Sequence, residues 1–107
     1  MIDKKIFTKL RKELEQKEVL RENLIINSRP IMKESKQAIY ALHKNSVDEA
    51  KKSVDSAKKA LAVLNEIVKK NPTLDVGAYN AAVQEYCEAA TYYYFVKEDR
   101  LIGNDEL

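Results

Sequence analysis

A chain of 107 residues, 34% charged and 45% hydrophobic, has room for one modest core and is too apolar for a disordered polymer. Two Gly and two Pro leave little length for loops, while a lone cysteine, Cys87, and a lone histidine, His43, exclude an intrachain disulfide and a Cys/His zinc quartet. The net charge of +2 conceals an uneven spread: residues 1–44 hold 11 Lys/Arg against six Asp/Glu, residues 45–70 hold six against four, and residues 71–107 hold two against seven.

A basic front attracts polyanions and an acidic back attracts cations, although solvated helix faces are the commoner outcome of such runs. Met1-Ile2-Asp3-Lys4-Lys5 lacks the apolar run of a signal peptide. No apolar stretch approaches the ~20 residues needed to span a bilayer. A cytoplasmic protein without a membrane partner is therefore expected.

The first predicted element is a helix from about Asp3 to Lys44. Ile6, Leu10, Leu14, Leu20, Leu24, Ile25, Ile31, Ile39 and Leu42 recur along it at helical spacing. Its length, about 63 Å at 1.5 Å per residue, exceeds what a compact chain of this size covers. Pro30 is expected to bend it near Ile26-Asn27. Asn45-Ser46 punctuates the chain, and Ser46-Val47-Asp48-Glu49 reads as a capping box. A second helix then carries Val47, Ala50, Val54, Ala57, Leu61, Leu64 and Val68 on one stripe, and Lys69-Lys70-Asn71-Pro72 closes it. Residues 73–77 read as a loop. A third helix runs from about Ala78 to Val96, with Ala82, Tyr86, Ala89, Tyr93 and Val96 placed for burial. Gly103 is expected to break the chain, with Asn104-Asp105-Glu106 starting a further helix. The fold class is all-α: a long N-terminal helix followed by a helical hairpin, in one domain spanning 1–107.

Two groups of residues carry candidate chemistry. Glu85 and Glu88, three apart, share a helix face. Like charges so placed repel, and a hard cation such as Mg²⁺ reverses that sign; by spacing alone, a solvated acidic face is the commoner state. Arg21, Arg29, Lys33, Lys36, His43 and Lys44 give the first helix a basic character, and the stripe from Arg29 through Lys33 and Lys36 suits phosphates, with a solubilising face as the alternative. Tyr92-Tyr93-Tyr94-Phe95 spreads around the third helix, so not all four rings can face one core. Cys87 reads as a small packing residue. No Ser–His–Asp or Cys–His set and no Gly-rich phosphate loop is present.

Three stretches together resemble the N-terminal half of the translin family, its Trax branch in particular, over about residues 18–107. They are Ser28-Arg29 through Ala38-Ile39-Tyr40-Ala41-Leu42-His43-Lys44, the Ala-rich second helix, and Val83-Gln84-Glu85-Tyr86-Cys87-Glu88-Ala89 running into Phe95-Val96-Lys97. The resemblance implies a helical bundle that assembles into homo-oligomers and binds single-stranded RNA or DNA. For the Trax branch it implies a Mg²⁺-dependent endoribonuclease, with Glu85 and Glu88 matching the catalytic, metal-binding acids. The family domain is roughly twice as long and carries a further catalytic Asp in its later helices, so the chain reads as incomplete at its C-terminus. The alternative is a non-catalytic helical oligomerisation module; the second helix has the flavour of a tetratricopeptide repeat, but no second copy follows.

Overall fold

The computed structural model describes the backbone of residues 3–106 and the side chains of residues 3–99. Three helices account for nearly all of it: α1 (Lys4–His43), α2 (Val47–Lys70) and α3 (Gly77–Glu106), with no strand among the described residues. The all-α expectation holds, and so does the order of long helix then hairpin.

The helix ends follow from local chemistry. Asp3 caps α1, its carboxylate accepting from the Lys5 amide at 2.9 Å. At the other end Asn45 adopts a left-handed conformation, φ 62°, which asparagine tolerates better than most residues. This lets the Ser46 amide donate to the Ala41 carbonyl at 2.8 Å and the Asn45 amide to that of Leu42 at 3.1 Å, the paired bonds of a Schellman turn. The Ser46 side chain makes no capping hydrogen bond, so α2 starts where the capping box was expected but without its reciprocal bonds. Asn71 closes α2, its side-chain amide donating to the Ile67 carbonyl at 2.8 Å.

α1 is one helix as expected, and the break expected at Gly103 is absent. α1 passes through Pro30 unbroken. The ring removes the bond to the Ile26 carbonyl, but both residues are exposed, so water can replace that partner. Core contacts at Leu24 and Ile31 hold the helix on either side. α3 likewise continues through Gly103, so Asn104-Asp105-Glu106 form its last turn instead of a new helix. An interior glycine costs only about 1 kcal/mol relative to alanine.

Two core clusters set the topology. Leu24 and Ile31 of α1 meet Ala57, Leu61 and Leu64 of α2, Leu74 of the loop and Ala82 of α3. Further along, Ala38, Ala41 and Leu42 meet Ala50, Val54, Ala89 and Tyr93. Residue numbers rise together in α1 and α3 and fall in α2, so α1 and α3 run parallel with α2 antiparallel to both. Tyr86 packs against both clusters, and burial pushes its hydroxyl pKa up. Fully buried alanines in all three helices let the backbones approach closely. The molecule is a rod of 80 × 18 × 16 Å.

Among the described residues, Ser28 and Ser35 are the two buried polar ones. Ser28 Oγ donates to the Leu24 carbonyl at 2.6 Å, whereas Ser35 Oγ has no partner. An unsatisfied buried hydroxyl costs about 1–3 kcal/mol. Ser35→Ala removes that cost and favours the helix, so it is expected to raise stability by about 1 kcal/mol. Chemical denaturation checks this; a less stable Ser35→Ala protein would show that the hydroxyl has a partner in solution.

Candidate nucleic-acid interface

The core face of α1 is defined by Leu24, Ser28, Ile31, Ser35, Ala38 and Leu42. At 100° per residue, Arg29, Lys33, Lys36 and Tyr40 fall on the opposite side. All four are exposed, and together with Met32 and Gln37 they line a shallow hollow on the outer face of α1. The cations cannot turn inward, because the same helix spends its inward positions on the bundle core.

This stripe is not neutralised. The single ion pair within 4 Å among the described residues lies elsewhere, Arg21 to Glu18 at 2.9 Å. There the Arg21 hydrogen bond and charge hold the Glu18 carboxyl below its ordinary range. Arg29, Lys33 and Lys36 therefore present free charge to solvent.

Tyr40, which sequence reasoning left out of the site, stands 63% exposed beside them. The Lys44 ammonium lies 4.4 Å from its ring centroid. The signal was available in the sequence, since Tyr40 follows Lys36 by four and Lys33 by seven. His43 is exposed as well and has a neighbour on another helix. It sits at the flank facing α3, where the Tyr92 hydroxyl lies 3.5 Å from its Nδ1 and the two rings meet edge to face at 5.5 Å. A contact across 49 residues of chain could not be seen from helical spacing.

The acidic candidates lie on α3. Glu85 is half-buried and Glu88 exposed. Glu88 accepts from Gln84 Nε2 at 3.4 Å, and it lines an outer hollow with Cys87, Thr91, Tyr92 and Phe95. Tyr92 follows Glu88 by four and Glu85 by seven, so the His43–Tyr92 contact is where the basic helix and the acidic face adjoin. Among the described residues, no three or more His, Cys, Asp or Glu gather as a metal site. Two carboxylates alone fit a Mg²⁺ ion that retains most of its water.

The aromatic run divides as its helical phase requires. Tyr93 is buried, Tyr92 half-buried, and Tyr94 and Phe95 exposed. Cys87, expected to pack, is exposed instead, because it lies on the outer side of α3 away from Ala82 and Ala89. Among the described residues, no helix is long and apolar enough to cross a membrane.

A family model described as "Translin family" matches residues 19–107. No curated protein and no solved structure matches the chain.

Proposed function

Because the chain belongs to the translin family, we propose that it binds single-stranded RNA or DNA along the outer face of α1. The observation that carries this reading is the unneutralised row of Arg29, Lys33 and Lys36 with an exposed Tyr40 among them. The cations track a phosphate backbone, and a tyrosine face accepts an unpaired base. A duplex hides its base faces, so the ring favours single strands. The direct test is fluorescence anisotropy with labelled single-stranded and duplex RNA of one sequence at low salt. Preferential binding of the single strand is expected, and equal or absent binding of both would reject the reading.

Glu85 and Glu88 would hold Mg²⁺ in this proposal. When bound, the ion would supply charge neutralisation and water activation. Glu88 lines the same outer hollow as Tyr92, whose hydroxyl meets His43 of α1. For Glu85→Gln/Glu88→Gln, Mg²⁺ is expected to lose its effect on strand affinity. In the metal-free protein, the same double variant should bind on the order of threefold tighter, because two negative charges are gone. Unchanged Mg²⁺ sensitivity would remove the acid pair from the site.

The protein also self-associates in this reading. Ile6, Phe7, Leu10 and Leu14 on α1 and Tyr94 and Phe95 on α3 are each more than half exposed, and uncovered apolar side chains of this size favour a partner surface.

A further inference from the structure

Leu24, Ser28, Ile31, Ser35, Ala38 and Leu42 form a seam with alternating spacings of four and three, all of it buried under α2 and α3. The same rhythm continued toward the N-terminus meets Arg21, Lys17, Leu14, Leu10 and Phe7, with Ile6 alongside. That continuation has no cover. Ile6, Phe7, Leu10 and Leu14 are 58%, 52%, 53% and 68% exposed, and every described residue from 3 to 19 is exposed. The reason is length: 24 residues of α2 span about 36 Å, against about 60 Å for the 40 residues of α1. Residues 4–18 thus project as an arm, and they precede the residues matched by the family model.

An isolated helical segment of this size is marginal in water, and an uncovered apolar stripe on it calls for a partner. The arm's charges identify that partner. Residues 4–12 carry Lys4, Lys5, Lys9, Arg11 and Lys12 and no acid. Residues 13–18 carry Glu13, Glu15 and Glu18 against Lys17 alone. Two arms side by side in the same direction set like charge on like. Turned antiparallel, each basic half faces the other's acidic half, and one surface serves both copies, as two-fold symmetry requires.

We infer that the arm, residues 4–18, is a self-complementary docking helix that pairs antiparallel with the arm of a second copy of this chain. With Leu10 of one copy opposite Leu14 of the other, Lys4 falls near the partner's Glu18 and Lys17 opposite the partner's Phe7. Both are attractive pairings, ion to ion and cation to ring. Arg21, the other charge in the seam, is already held by Glu18 of its own helix. Anionic lipid is the poorer occupant, because Glu13, Glu15 and Glu18 would face it. This pairing rests on the proposal that the chain self-associates, and the experiment separates the two.

The test compares wild type with Leu10→Asp/Leu14→Asp by sedimentation velocity over a wide concentration range. Both leucines are exposed, so the variant keeps the bundle, with circular dichroism as the check. The variant is expected to sediment as a smaller species, with a dissociation constant raised at least about tenfold. In a Cys87→Ser background, a mixture of Lys4→Cys and Glu18→Cys proteins is expected to form the mixed disulfide in preference to either homodisulfide. Equal sedimentation of an assembled wild type and an assembled variant overturns the arm pairing while leaving self-association intact. A wild type that stays monomeric throughout overturns both. Dominant homodisulfides, or variant-sensitive binding to anionic vesicles in place of self-association, overturn the antiparallel dimer.

Discussion

Ile31→Ala is expected to cost the fold about 2–5 kcal/mol. Ile31 is fully buried in the cluster where α1 meets Leu61, Leu64, Leu74 and Ala82. Truncation removes its transfer free energy and leaves a cavity that close-packed neighbours fill only in part. A domain of this size has roughly 5–15 kcal/mol in total, so the loss is a large share. The matched control is Leu10→Ala, at a 53% exposed position of the arm. In dilute solution, where arms are unpaired, it is expected to change stability by less than about 0.5 kcal/mol. Urea denaturation of both variants measures the contrast. Comparable losses at the two positions would mean that the core is not where Ile31 sits.

The second large effect concerns binding. Neutralising the stripe as Arg29→Gln/Lys33→Gln/Lys36→Gln removes three candidate phosphate contacts without touching the core. Each contact to a single strand contributes about 0.7 to the slope of log affinity against log salt, so the slope is expected to fall by about 2. Over a fourfold change in salt, that difference is worth about 20-fold in affinity. Tyr40→Ala should act differently. Loss of a stacked base costs about 1–3 kcal/mol and leaves the salt slope nearly unchanged. A triple variant with the wild-type slope would move the strand off α1. A Tyr40→Ala variant that changes the slope but not the low-salt affinity would mark the ring as a spacer among charges instead of a stacking surface.

Much of this architecture was legible because periodicity reports burial directly. The stripe from Val47 to Leu64 names the buried face of α2, and Asn71-Pro72 marks its end. The single long α1 was legible too, and it tolerates Pro30 because Ile26 lies on the solvent side and the core grips either side of the gap. Expectations failed where a local signal met a compensating environment. Gly103 carries too small a penalty to stop α3. The α1–α2 turn was visible at Asn45-Ser46, but its mechanism is the left-handed Asn45 and not the hydroxyl of Ser46.

The candidate site divides in the same way. Arg29, Lys33 and Lys36 share a face by spacing alone, and the fold leaves that face open. His43 belongs with Tyr92 of another helix, a pairing that no one-dimensional pattern contains. Glu85 and Glu88 were identifiable as a pair because three residues of helix suffice to align them. Whether further ligands gather around them depends on tertiary placement, and none does among the described residues.

The central claim, strand binding along the outer face of α1, is tested most directly by ultraviolet crosslinking of single-stranded RNA to the wild-type protein, with the attachment sites mapped by mass spectrometry. The expected result is crosslinks concentrated at Tyr40 and on the peptides that carry Arg29, Lys33 and Lys36, lost as salt is raised. Crosslinks concentrated on α2 or on the arm, with Tyr40 unmodified, would contradict it.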